Sequence, residues 1–82
     1  MITVKCFGLI SVDCSIRQLL VKEGTVRQVL NEIRQSCPNI SEQDLIEAIM
    51  FVNKQQISGN KRFSVVLKAG DELALLSPAS GG

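Results

Sequence analysis

The stretch GTVRQVLNEIRQSCP, residues 24–38, decides how the rest of the chain is read. Thr25 and Gln28 have the spacing of a capping box, in which the hydroxyl accepts a backbone N–H and the Gln side chain reaches back to the cap. Val26, Val29, Leu30, Ile33 and Cys37 follow at i, i+3, i+4, i+7 and i+11, which is one apolar stripe. Arg27, Asn31, Glu32, Arg34 and Gln35 fall mainly on the other side. Pro38 ends the segment, because proline disfavours helical geometry in the residue before it. Burying each large stripe residue is worth up to about 1.5–3 kcal/mol. The helix is therefore held by a surface it covers and not by its own propensity.

That surface is legible on both sides of the helix. Upstream, Ile2, Val4 and Cys6 alternate with Thr3, Lys5 and Phe7, the period of a strand with one buried face. After Gly8 the alternation resumes, with Val12, Cys14 and Ile16 against Ser11, Asp13 and Ser15. Two strands with a short Gly-containing connection predict a hairpin, its second arm running to about Val21. Downstream, Ser41 and Asp44 form a weaker cap for a short helical turn toward Ala48. Ile49 to Asn53 reads as a strand, and Asn53-Lys54-Gln55 as a turn into a short strand around Gln56 and Ile57. Ser58-Gly59-Asn60 reads as loop, Val65 to Leu67 as extended, Ala69-Gly70-Asp71 as a turn, and Leu73 to Leu76 as the last strand.

A hairpin, one helix, then further strands is the order of a β-grasp domain. The expected fold is α+β: a mixed sheet of four to five strands with one main helix across one face, its first and last strands parallel in the middle. With 82 residues the chain is one domain, 1–77, followed by a flexible tail, 78–82.

Composition narrows the function. Apolar residues make up 45% of the chain and charged ones 21%, enough for a core, and the net charge is +1. No basic stripe with interleaved aromatics is present, so nucleic acid is not an expected ligand. The most apolar run, Ile46 to Val52, carries Glu47 and is far shorter than the ~20 residues a bilayer span needs. The chain starts on a strand pattern, with neither a basic leader nor a cleavage site, so a cytoplasmic location is expected. Cys6, Cys14 and Cys37 make an odd set without CxxC spacing, which reads as buried reduced thiols. The complete absence of histidine removes Ser-His and Cys-His catalysis and the common zinc sites. No metal or bound cofactor is expected. The chain reads as a substrate or binding module for other enzymes.

The tail carries the chemistry. Proline at 78 cannot continue a central strand, so pairing stops near Ser77. Small residues, Pro78, Ala79 and Ser80, then lead to Gly81 and Gly82. Five residues from Pro78 reach up to about 17 Å when extended. Two glycines fit a channel too narrow for any Cβ and leave the terminal carbonyl open to attack.

The opening strand ending at Phe7, the capped Thr25-Val26 helix, the Phe51-Val52-Asn53 strand end, and the run Leu67-Lys68-Ala69-Gly70-Asp71-Glu72-Leu73 with Pro78-Ala79-Ser80-Gly81-Gly82 carry a resemblance over nearly the whole chain. It resembles the small, sulfur-carrying subunit of molybdopterin synthase, in a ubiquitin-like family that includes the thiamine sulfur carrier. The resemblance implies a protein that is not catalytic alone. Its end carboxylate is adenylated by a ubiquitin-activating-type enzyme that uses ATP, then thiocarboxylated, and donates sulfur to the synthase large subunit in molybdenum (or tungsten) cofactor synthesis. By this resemblance Gly82 carries the sulfur and Gly81 threads the partner's channel, with Pro78, Ala79 and Ser80 in contact with the partner. Ser77 stands where many relatives have proline, and Leu75-Leu76 replace a common aromatic pair. The Leu9 to Ser15 stretch also lacks the basic residues often found there. These departures leave thiamine, cysteine or tRNA thiolation open, and also a ubiquitin-like protein modifier that uses the same tail. An interaction domain with an incidental tail would instead tolerate loss of both glycines.

A docking patch is expected separately. If Val4 and Cys6 face the helix, Phe7 faces away, and Leu73 and Leu75 pointing inward put Leu76 outward beside it. Phe7 and Leu76, extended by Ile57, would then offer an apolar surface near the tail's root.

Overall fold

The computed structural model describes residues 1–7 and 18–76. The alternation over Val12, Cys14 and Ile16, the hairpin connection after Phe7, and the tail 78–82 lie outside the described residues.

Strands β1 (Ile2–Phe7) and β2 (Gln18–Val21) pair antiparallel, with Ile2 opposite Val21 and Val4 opposite Leu19. Helix α1 (Val26–Ser36) follows and is capped as its sequence predicts. The Gln28 N–H donates to Thr25 Oγ1 at 3.2 Å, and the Thr25 N–H donates to Gln28 Oε1 at 2.8 Å. A Cβ at Gly24 would lie 2.5 Å from Gln28 Oε1, so a side chain there would displace the Gln28 amide from its place in the cap. Helix α2 (Glu42–Glu47) is capped by Ser41, whose Oγ accepts from the Asp44 N–H at 3.0 Å.

Strand β4 (Ile49–Val52) turns through Asn53 and Lys54 into β5 (Gln55–Ile57). Both turn residues have positive φ, 50° and 73°, the backbone a two-residue hairpin needs to match strand twist. The Asn53 side chain then clamps two turns together. Its Nδ2–H donates to Asp71 Oδ1 at 3.1 Å, and its Oδ1 accepts from the Glu72 N–H at 3.0 Å.

The last strand, β7 (Glu72–Leu76), inserts between β1, to which it is parallel, and β4, to which it is antiparallel. The five-stranded order is β2-β1-β7-β4-β5. The expected mixed sheet with parallel central strands is therefore present. Two features had no sequence expectation. Gly24–Thr25 (β3) pairs with Val66–Leu67 (β6) in a separate two-stranded ladder, and Asn60–Ser64 forms a 3-10 turn between the expected loop at Ser58-Gly59-Asn60 and the extended chain from Val65.

Alternation decides the core. Ile2, Val4 and Cys6 of β1, Leu73 and Leu75 of β7, and Met50 of β4 are buried under Val26, Val29, Leu30 and Ile33 of α1. Cys37, Ile40 and Leu45 close the helix end of this cluster. Cys6 is a free buried thiol, and burial pushes its pKa up, so it serves as a small hydrophobe. Cys37 departs from the expectation of reduced thiols, since it is disulfide-bonded. No helix among the described residues is long and apolar enough to cross a membrane.

Candidate functional site

Among the described residues, one face of the sheet lies under α1 and the other carries no helix. On the uncovered face the registers arrange side chains in rows. Phe7 pairs with Leu76, and Leu76 with Ile49, so these three apolar residues cross β1, β7 and β4 at one level. One step lower, Lys5 pairs with Ala74 and Ala74 with Phe51. Below them Thr3 pairs with Glu72, and Lys5 Nζ meets Glu72 Oε1 at 3.2 Å. The face thus grades from a charged row to an apolar one, and its apolar end is the end of β7 from which the tail departs.

Phe7 is 46% exposed, and Leu76, Ile49, Phe51 and Ala74 are partly exposed. Phe7 is thus a large aromatic open to water beside four further partly exposed apolar side chains. The expected juxtaposition of Phe7 and Leu76 is therefore present. Ile57 is not part of it. The two-residue Asn53–Lys54 turn sets Ile57 opposite Met50, a fully buried residue, so Ile57 packs against the core on the helix-covered face. A strand's side chains alternate strictly, and this register gives Ile57 the wrong parity for the patch.

Ile49 and Phe51 are the residues that sequence reasoning missed. The run Ile49-Met50-Phe51-Val52 is apolar at every position and so shows no alternation to read. Only the pairing with β7, whose Leu73 and Leu75 alternate with Glu72 and Ala74, reveals which members face outward. Pro78, Ala79, Ser80, Gly81 and Gly82 lie outside the described residues. Leu76 is the last residue of β7.

No group of three or more metal-ligating side chains occurs among the described residues.

The profile of the ThiS family matches residues 13–82. The chain belongs to the ThiS family. This is a ubiquitin-like family of sulfur carriers and modifiers, and the match runs through Gly81 and Gly82. No curated protein matches the sequence. Among solved structures, small archaeal modifier protein 1 from Methanosarcina acetivorans is similar with a TM-score of 0.81 and 21% identity, covering 99% of this chain and 95% of that one. The complex of BexX and CysO from Amycolatopsis orientalis contains a chain similar at TM-score 0.75 and 20% identity, with 100% of both chains covered. The complex of subunits 1 and 2 of molybdopterin-converting factor from Helicobacter pylori matches at TM-score 0.66 and 23% identity, covering 99% and 97%. At these identities the likeness is one of fold. It agrees with the β-grasp arrangement of this ThiS-family chain.

Proposed function

We propose that this ThiS-family protein carries sulfur as a thiocarboxylate on Gly82 and delivers it in molybdenum (or tungsten) cofactor synthesis, as the small subunit of a molybdopterin synthase. The observation that carries the reading is the apolar row Phe7-Leu76-Ile49 at the root of a Pro-Ala-Ser-Gly-Gly tail. The row holds a partner's surface, and the tail reaches past it.

The chemistry follows from what a carboxylate lacks. It is a poor electrophile, so an ATP-using, ubiquitin-activating-type enzyme first forms the acyl adenylate, releasing pyrophosphate. A sulfide-level donor then attacks the carbonyl carbon, AMP leaves, and the thiocarboxylate remains. That sulfur is a good nucleophile at neutral pH and is handed on within the complex with the large subunit. Gly81 and Gly82 let the acyl group enter a narrow site without a Cβ clash. This chain supplies the handle and the acyl group; ATP belongs to the activating enzyme.

Resemblance to the molybdopterin-converting complex supports the choice of pathway, and the likeness to a chain in the BexX and CysO complex supports docking on a protein partner. A second reading, a protein modifier joined to lysines, is favoured by the likeness to small archaeal modifier protein 1 and uses the same tail. The test is reconstitution with the activating enzyme encoded by the same organism. Removal of Gly82 should abolish ATP–pyrophosphate exchange while the thermal melt is unchanged. Exchange that persists without Gly82 would refute the carrier reading, and lysine conjugates in place of a thiocarboxylate would favour the modifier.

A further inference from the structure

The helix layer holds a second surface, on the opposite side of the sheet from the Phe7 row. Helices α1 and α2 and the 3-10 turn enclose a cleft of about 100 Å³. Leu30, Leu45 and Phe63 line its floor, and Ile46, 37% exposed, stands at its edge. A cavity of ~150 Å³ houses a benzene, so this smaller space suits one branched aliphatic side chain.

Its rim is cationic. Arg27 and Arg34 lie seven residues apart, two turns along one side of α1. The Arg27 guanidinium sits 5.7 Å from the centre of the Phe63 ring, and that of Arg62 sits 4.4 Å from it. Arg62 is committed inside the fold, donating to the carbonyls of Gly59 and Ile46. Arg34 meets Glu42 at 3.3 Å. Arg27 is exposed and pairs with no carboxylate among the described residues. Two guanidinium groups, Arg27 and Arg34, and a single carboxylate, Glu42, therefore line an apolar cleft, and Arg27 is the one of the two without a carboxylate partner among the described residues. Guanidinium groups set against an aromatic ring keep their planar donors oriented for carboxylates.

We propose that this cleft is a docking site for a short acidic peptide segment of a partner protein. One leucine-sized side chain of that segment enters between Leu30, Leu45, Ile46 and Phe63, while its flanking carboxylates meet Arg27 and Arg34. A small free anion would gain nothing from the apolar floor, and a neutral apolar segment would leave Arg27 unmatched. Because the cleft and the Phe7 row lie on opposite sides of the sheet, both can be occupied together. The protein can then be tethered through its helices while its tail works in another enzyme's site. This inference does not depend on the chemistry assigned to Gly82.

The test is titration of the full ¹⁵N-labelled chain with acetylated pentapeptides DEXED, where X is leucine, isoleucine, methionine or phenylalanine. At least one should shift the amides of Arg27, Leu30, Arg34, Leu45 and Phe63. Arg27→Glu should weaken that binding at least ~10-fold, the scale of a lost charge-assisted hydrogen bond, and leave the thermal melt unchanged. Arg27→Gln provides a milder variant with a smaller loss in the same direction. Failure of all four peptides to move these amides at millimolar concentration would overturn the proposal. Equal binding of the neutral analogues NQXQN, the same shifts from sodium phosphate alone, or shifts centred on Phe7, Ile49 and Leu76 would each overturn it too.

Discussion

Phe7→Asp separates the docking face from the core more sharply than any other substitution. A Phe side chain offers about 200 Å² of surface, and 46% of Phe7 is open to water, so roughly 90 Å² remains for a partner to cover. At ~25 cal/mol per Å², covering it contributes a little over 2 kcal/mol, about 40- to 50-fold in affinity. Placing a carboxylate in the row Phe7-Leu76-Ile49 removes that term and adds the cost of desolvating a charge against apolar neighbours. The fold should survive, because the new carboxylate stays in water at the end of β1. Val4→Asp, three residues earlier on the fully buried face, provides the contrast and should not fold. Calorimetric titration against the cognate activating enzyme and large subunit reads the affinity, and circular dichroism reads the melt. Unchanged affinity for both partners would refute the docking role of this face. Loss of the cooperative melt in Phe7→Asp would refute its orientation.

Two further predictions follow from the hydrogen bonds. Thr25→Ala removes the hydroxyl that holds the Gln28 N–H and should cost about 1 kcal/mol in urea denaturation, with Thr25→Ser recovering most of it. The Asp71 carboxylate accepts from the Lys68 N–H at 2.8 Å and from Asn53, and these bonds, the backbone one first, hold its pKa below the usual value. A depressed folded pKa means the stabilisation is full above the unfolded value of ~4 and is lost as pH falls through the folded one. Asp71→Asn should therefore flatten the acid limb of stability measured by urea melts from pH 6 to pH 2. Part of the limb should remain, because Glu23 is shifted the same way, first by its own backbone N–H and then by the Met1 ammonium 3.2 Å away. An unaltered limb would refute the role of Asp71.

The elements with strong local signals were legible in the chain. The alternation of β1 and the Thr25 cap state their structure in consecutive residues, and so does the α1 stripe. The parallel contact of β1 with β7 was legible only because the order of elements left few arrangements. What escaped had no local period. The β3–β6 ladder joins two residues to two others some forty positions away, and Gly24-Thr25 alone looks like a helix entrance. The face of Ile57 depends on the length of the turn before it, and three residues of β5 are too few to display a phase. For the same reason the patch was half seen. Phe7 and Leu76 alternate visibly within their strands, whereas Ile49 and Phe51 sit in a strand that is apolar on both faces. There the buried face meets α1 and the outer face meets water, and composition alone does not tell them apart.

Intact-mass spectrometry of the protein isolated from its own cells tests the central claim most directly. The account predicts a species about 16 Da heavier than the free acid, with the added mass confined to the fragment containing Gly82, as expected for one oxygen replaced by sulfur. Only the free-acid mass, in cells actively making the sulfur-containing product, would contradict it.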